Sequence, residues 1–460
     1  MQRAFDIASL KVTVIGAARS GLAAARLLRS KGVSVFLSEL SEAGRYPEAA
    51  RLLAEENIEH EFGEHSERLY AADLIVVSPG VPSDAPVLLE AERRGMPVIS
   101  EIEIGTMFVD GPIIAVTGTN GKTTTTTLTG EICAASGRRT LLAGNIGFAF
   151  TDALRENDGD IDISVLEISS FQLDTCVTFH PTTAVITTIT PDHLNRYHGS
   201  FEEYVASKQR IFMNQNSGDR LIYSVDNPVV EAAVKPAASQ LFPVSVTQRL
   251  KFGGWRENGH LMLDAGYGGE LLARVEDLQI RGAHNHMNVL MASLAARLEG
   301  IPMDVIRQAV ISFRGVEHRL EFVIELDGVA WVNDSKATNV DSVVTALQSY
   351  KQPVVLIAGG RDKGTSYDPM MELVKEKVHT MVLIGEAGDR MEAAFSRVTR
   401  VTRARDMQEA VNIARAAARP GDVAMLSPGC ASFDMYDNFE HRGRVFKECV
   451  RTFCREPMVA

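Results

Sequence analysis

Short β-branched runs alternate with helical patterns along the whole chain. In the first hundred residues KVTVIG reads as a strand, Leu22–Ser30 as a helix and VSVFLSE as a strand. ADLIVVSPG and PVISEIE read as two more strands. Such alternation predicts a parallel sheet covered on both faces. EIEIGTMFVDGP reads as a connector, and the pattern restarts at Pro112. IIAVTG predicts a strand, a loop follows, and then a helix to about Ser136. Further strands are expected at DISVLEIS, TTAVITTIT and DRLIYSVD. Between 250 and 280 glycine turns separate short alternating runs, which predicts antiparallel hairpins at one side of the domain. HNHMNVLMASLAARLEG predicts a helix ended by Gly300 and Pro302. A third restart falls near Gly315. GVAWVNDSKATN, PVVLIAGG, TMVLIGEAG and DVAMLSPG predict strands, with helices over 341–350 and 406–418. The expected fold class is α/β in three domains. They are a Rossmann-like domain over 1–107, a central P-loop-type domain over 108–314 and a C-terminal Rossmann-like domain over 315–460. The central domain combines a parallel sheet with a small antiparallel one.

The length of 460 residues agrees with three domains. A net charge of −12 argues against a nucleic-acid surface, which needs a basic stripe. It leaves room for small anions held by a local cluster of donors. The five cysteines, at 133, 176, 430, 449 and 454, form no C-x-x-C pair, so a reduced, cytoplasmic protein is expected. The apolar run Val12–Ala18 is too short to span a bilayer, and no membrane insertion is expected.

The candidate chemistry starts at Gly118-Thr119-Asn120-Gly121-Lys122-Thr123, followed by Thr124. The usual phosphate loop is G-x-x-x-x-G-K-[ST], and here two residues are missing. An apolar strand before the segment and a helical pattern after it support phosphate binding over a chance G-K-T. The two glycines let the backbone approach an anion, Lys122 supplies charge to the β/γ-phosphates and Thr123 offers a hydroxyl to Mg²⁺. Further metal ligands are sought in Glu167 and His193, each just past an apolar strand. Glu167 alone could be a solvated loop acid, and His193 alone a structural histidine. Lys208, in FEEYVASKQRIF, reads on composition as a surface lysine. Gly16-Ala17-Ala18-Arg19-Ser20-Gly21 is a weak dinucleotide fingerprint, but a reasonable turn for placing backbone N–H groups near a phosphate.

GTNGKTTT, LEISSFQL, TPDHLNRY, YVASKQRIF, GAHNHMN, EHRLE, NDSKATN and SPGCASFDMYDNFEHRGRVF occur in the order found in the Mur ligase family, which the chain resembles over essentially its whole length. The shortened loop is shared with folylpolyglutamate synthases, whereas the last two segments resemble the D-glutamate-adding members. The resemblance implies an ATP- and Mg²⁺-dependent amide ligase, monomeric, that joins D-glutamate to UDP-N-acetylmuramoyl-L-alanine in peptidoglycan precursor synthesis. It implies ATP contacts from Gly118, Thr119, Asn120, Gly121, Lys122, Thr123, Thr124, Asn285, Asn288, Arg319 and Asp334. Metal would be held by Thr123, Glu167, His193 and a carbamylated Lys208, and catalysis would use Lys122, Lys208, His193 and Glu167. The UDP-linked substrate would meet Gly16, Arg19, Ser20, Gly21, Ser38, Glu39, Ser78, Pro79, Gly80 and Asn145. D-Glutamate would meet Lys336, Thr338, Lys363, Ser432, Phe433 and Phe439. The family commonly has Asp where this chain has Glu39, and a richer glycine turn than GAARSG.

Two rivals remain. Another ligase of the same fold, of Mur or folylpolyglutamate type, is disfavoured by the N-terminal turn and by NDSKATN. An NAD-dependent oxidoreductase is disfavoured by Ala18, which replaces the middle glycine of G-x-G-x-x-G, and by the ATP loop downstream.

Overall fold

A computed structural model describes residues 7–157, 161–266, 268–362, 364 and 366–453. It contains three sheets. The first comprises β1 (Lys11–Ile15), β2 (Ser34–Glu39), β3 (Glu59–Phe62), β4 (Leu74–Val77) and β5 (Val98–Ser100). It is wholly parallel in the order β3-β2-β1-β4-β5. Val12, Val14 and Leu37 build one face of its core, and Ile15, Ile75 and Val77 the other. This is the two-sided burial that an apolar parallel strand requires.

The second sheet runs from β6 (Ile113–Thr117), β7 (Thr140–Gly144), β8 (Ile163–Glu167) and β9 (Thr183–Ile186) to β10 (Arg220–Ser224) and β11 (Gln240–Ser245). It continues through β12 (Gly253–Glu257), β13 (His260–Asp264) and β14 (Glu270–Arg274). Its order is β14-β13-β12-β11-β10-β9-β6-β8-β7. Only the β12–β13 and β13–β14 pairs are antiparallel, so the expected hairpins extend a parallel sheet at one edge. The third sheet holds β15 (Glu321–Leu326), β16 (Val329–Asn333), β17 (Val354–Gly359), β18 (Val378–Ile384), β19 (Arg400–Arg403) and β20 (Val423–Gly429), in the order β15-β16-β20-β17-β18-β19. Its two faces carry separate cores, around Leu356 and Met425 and around Trp331 and Phe446.

By contacts the chain forms two compact units: 1–278 with 285–313, and 279–284 with 314–460. The first two sheets therefore share one unit. Leu27 of the helix Arg19–Ser30 and Ile102 of the helix Glu101–Thr106 join the core of the second sheet, beside Ile113 and Leu166. That second helix corrects the sequence reading, which ran the strand PVISEIE on into a connector. The strand stops at Ser100, whose hydroxyl accepts the Glu103 N–H at 3.1 Å as an N-cap.

Candidate active site

In open parallel sheets ligands bind beyond the carboxyl ends of strands, where neighbouring connections diverge. In the second sheet that place is β6, flanked by β8 and β9. β6 ends in the glycine loop, and the helix Lys122–Ala135 starts directly after it. Gly118 (φ 146°) and Gly121 (φ 88°) lie in the region that favours glycine. A Cβ on Gly118 would sit 2.0 Å from Thr187 Oγ1, and one on Gly121 2.5 Å from Asn288 Oδ1. Both are therefore required by close approach as well as by backbone angle.

The loop is stitched to the segment after β9. Thr119 N–H donates to Thr188 O (2.6 Å), Asn120 N–H to Thr188 Oγ1 (3.1 Å) and Thr187 Oγ1 to Asn120 O (2.5 Å). The helix N-terminus leaves its first N–H groups without intrahelical acceptors, beside a positive dipole end. Lys122 Nζ donates to the carbonyls of Gly118 and Thr119, each at 2.9 Å. Lys208 Nζ donates to the same Gly118 carbonyl at 2.8 Å and lies 4.6 Å from the centroid of the Tyr204 ring. Lys208 is only 2% exposed, which corrects the composition-based reading of a surface lysine. Burial, and then the Lys122 charge, push its amine well below the usual lysine range.

Glu167 ends β8, opposite Val116 of β6, and is 1% exposed, so it is no solvated loop acid. Its Oε1 accepts from Asn145 Nδ2 at 2.8 Å. Thr123 and Thr124 are buried at the start of the helix. His193 follows β9 in a left-handed conformation (φ 53°), its half-exposed ring 5.1 Å from Phe171 edge-on. Asn285 and Asn288 are buried, Asn288 Nδ2 donating to Asn285 Oδ1 at 3.3 Å, with Asn288 against the glycine loop. A carboxylate and a hydroxyl at one sheet edge are hard oxygen donors of the kind Mg²⁺ takes, and the glycine cradle suits a polyphosphate. The donor set therefore fits Mg²⁺ and ATP.

The first sheet has its own divergence, between β1 and β4. Gly16 packs so closely on Ser78 that an added Cβ would lie 2.9 Å from the serine Cβ, and one on Gly21 would lie 1.9 Å from Gly16 O. A cavity of about 550 Å³ opens there, lined by Gly16, Glu39, Ser78 and Gly80 among others. Glu39 accepts the Ala17 and Ser41 N–H groups, both at 2.8 Å. Burial raises its pKa, but these bonds outweigh burial and hold it below the usual range. The carboxylate thus braces the turn that lacks the middle glycine. Ser20 and Ser38 are buried. Arg19 Nη1 donates to Gly147 O (2.9 Å), beside Asn145.

Arg196, not singled out from sequence, donates through Nη2 to Pro79 O (3.3 Å) and Val81 O (2.8 Å) and stacks over Phe171. The segment TPDHLNRY contained it, but nothing in the pattern said which carbonyls it would reach.

In the third sheet NDSKATN follows β16 and SPGCAS ends β20, its neighbour. Asp334 is 4% exposed, accepting from Ser427 Oγ (2.8 Å) and Leu320 N–H (3.2 Å). Burial pushes its carboxyl up to about 7, against the pull of Ser427 and Arg319. Arg319 lies in the turn before β15, its N–H bonded to Val316 O at 3.1 Å. Lys336 Nζ lies 5.2 Å from the Phe439 ring centroid, and Thr338 N–H donates to Lys336 O at 2.9 Å. Ser432 is buried and Phe433 is exposed. Lys363 lies outside the described residues.

Sequence reasoning also missed Arg442. It is 1% exposed, and its guanidinium donates to the carbonyls of Ser335 (2.8 Å), Cys430 (3.2 Å) and Ala431 (3.3 Å) and to Ser335 Oγ (3.1 Å). It therefore ties NDSKATN to SPGCAS.

A glycine cradle with two lysines converging on it, at the edge of a parallel sheet, defines a polyphosphate-binding α/β protein. The comparisons refine this. Residues 10–100 match the MurD-like N-terminal domain of Mur ligases, 116–296 the Mur ligase middle domain and 318–430 the Mur ligase glutamate ligase domain. The chain is 43% identical to the UDP-N-acetylmuramoylalanine–D-glutamate ligase of Salinibacter ruber, covering 97% of this chain and 99% of that one. It is 44% identical to the enzyme of the same name from Chloroherpeton thalassium, covering 97% and 98%. A pseudomurein peptide ligase type C from Methanothermus fervidus shares the fold at a TM-score of 0.61 and 20% identity, covering 97% of this chain and 100% of that one. The MurF ligase of Thermotoga maritima, solved with ADP, does so at 0.60 and 15%, covering 97% and 99%. The chain belongs to the Mur ligase family. No helix among the described residues is long and apolar enough to cross a membrane.

Proposed function

We propose that this chain is a cytoplasmic, monomeric ligase that joins D-glutamate to UDP-N-acetylmuramoyl-L-alanine at the expense of ATP, with domains 1–107, 108–314 and 315–460. The observation that carries the reading is the convergence of Lys122 and Lys208 on the glycine loop beside Glu167. It occurs in a chain similar over 97% of its length to ligases of that name. When bound, MgATP supplies the phosphoryl group that turns the muramoyl-alanine carboxylate into an acyl phosphate. Lys122 offsets the crowding of two anions in that transfer. Thr123, Glu167 and His193 hold the metal, and Asn145 fixes the Glu167 carboxylate. Arg319 and Asp334 add ATP contacts, as do Asn285 and Asn288.

Lys336 and Lys363 hold the carboxylates of D-glutamate and orient its amine. Thr338, Ser432, Phe433 and Phe439 complete that pocket. The amine attacks the acyl carbon, the C–N bond forms, phosphate leaves with the C–O electrons and the amine loses its proton. Lys208 acts as a carbamate. Its buried, neutral amine adds CO₂ and releases a proton, and a side chain with donors only becomes one with two acceptor oxygens for the metal. The Gly16–Gly21 turn, with Arg19, Ser20, Ser38, Glu39 and Ser78-Pro79-Gly80, binds the uridine diphosphate end.

The test is phosphate release from ATP with Mg²⁺, UDP-N-acetylmuramoyl-L-alanine and, separately, D-glutamate, L-glutamate, L-alanine or L-lysine. Release dependent on D-glutamate alone is expected. Release that instead requires a folate substrate would move the chain to the folylpolyglutamate type.

A further inference from the structure

The cavity at the β1/β4 divergence has an apolar wall of Leu40, Tyr46, Tyr70, Pro82 and Val87, a surface suited to a flat ring. One imidazole, that of His65, also lines it. Its Nδ1 lies 2.7 Å from Ser38 Oγ. The Ser38 hydroxyl proton is committed elsewhere, to Glu61 Oε1 at 2.6 Å. Glu61 also accepts from the Ser66 N–H (3.0 Å) and the Ser66 hydroxyl (2.5 Å). Burial raises the pKa of Glu61, but these donors outweigh it, so the carboxylate is ionised at neutral pH and can only accept. Ser38 has one proton, which Glu61 takes, so toward His65 its oxygen is an acceptor. The proton on the ring is therefore on Nδ1. Burial holds the ring neutral, against the pull of Glu61 and Glu39. Nε2 is then the nitrogen that presents a lone pair, and it has no hydrogen-bond partner among the described residues.

Resting on the uridine-diphosphate reading of this cavity, we propose that His65 Nε2 accepts the N3–H of the uracil ring and sets the choice of base, with Ser38 and Glu61 as positioning residues that fix its tautomer. Uracil carries a proton on N3. Cytosine carries a lone pair there, which would face the Nε2 lone pair. A site built around one hydrogen bond rejects the analogue that leaves it unmade, because a buried polar atom then loses its partner.

The experiment is calorimetric titration of the full-length protein with UDP, CDP and N3-methyl-UDP. The wild type should bind UDP at least about tenfold tighter than either analogue, the worth of one hydrogen bond and its desolvation. His65→Leu should weaken UDP about tenfold and leave CDP unchanged, so the preference collapses; His65→Gln, whose amide oxygen can still accept, should restore part of it. Ser38→Ala should lower the preference while leaving the ring in place. A change of stability alone would move UDP and CDP together. Equal weakening of both in His65→Leu, or N3-methyl-UDP bound by the wild type as tightly as UDP, overturns the assignment. If the wild type prefers UDP and His65→Leu keeps that preference, only the role of His65 falls. If the wild type binds none of the three, the uridine-diphosphate reading falls with it.

Discussion

At the scale of single residues, Lys208 and Arg442 are basic groups placed where charge is expensive. Burial lowers the pKa of both, with Arg442 drawn down to about 10. The sequence context of Lys208 reads as ordinary helix surface. Composition carries no information about which side of a helix meets a loop from another part of the chain, so only the family resemblance singled out Lys208. Arg442, inside FEHRG, was passed over because its carbonyl partners lie at 335, 430 and 431. Lys208→Arg should lose activity by more than about a hundredfold, since a guanidinium stays charged and cannot take up CO₂. Lys208→Ala should be as weak and be partly restored by acetate. Near-normal kcat in Lys208→Arg would dispose of the carbamate. Arg442→Ala would strand three carbonyls and a hydroxyl, so a loss of about 3 kcal/mol is expected in denaturant titration. The KM for D-glutamate should rise more than that for ATP, because the loops Arg442 ties carry Lys336 and Ser432. Equal shifts in both KM values would show that the tie is structural only.

Among the elements, the parallel strands were legible because strands buried on both faces leave near-continuous apolar runs. The short helix Glu101–Thr106 was not. Ser-Glu-Ile-Glu alternates with period two, like a strand, yet Ser-x-x-Glu is also a helix-start signature. The second reading prevails because of tertiary contacts. The Glu103 carboxylate accepts Val177 N–H at 2.6 Å, and also the N–H and hydroxyl of Thr178. Glu101 Oε1 likewise accepts the Thr151 N–H (2.7 Å) and hydroxyl (2.8 Å). Two acids that sequence reading leaves in a connector thus anchor the first sheet's domain to the second. Glu103→Ala should cost about 3 kcal/mol, since hydrogen bonds to a buried charge are among the stronger ones. It should also make 1–107 more accessible to protease, as limited digestion would show. Unchanged stability would mean water replaces the carboxylate at no cost.

For the molecule as a whole, the three strand–helix stretches each produce a sheet, but the grouping of two sheets into one compact unit was not legible. It rests on Leu27, Ile102 and the two acids, residues remote in sequence from their partners. Two units with separate cores should unfold as two calorimetric transitions. Asp334 assigns one of them. Its folded pKa, about 7, lies above the ordinary 3.8, so the free acid is the form folding favours. The stability linked to it is fully present below about pH 4 and lost as pH rises toward 7. Asp334→Asn stays neutral at every pH, and its amide can donate to Ser427 while its oxygen keeps the Leu320 N–H. The transition of unit 314–460 should therefore rise in Asp334→Asn by several degrees at pH 8. The gap should narrow toward pH 5 while the other transition stays in place. A ligand that meets Asp334, as proposed, should raise the transition of the unit that carries it. A non-hydrolysable ATP analogue with Mg²⁺ and the UDP-linked substrate should do so in the wild type and less in Asp334→Asn. An equal rise with ligand in both proteins would remove Asp334 from the proposed ATP contacts and leave its charge as a cost to stability alone.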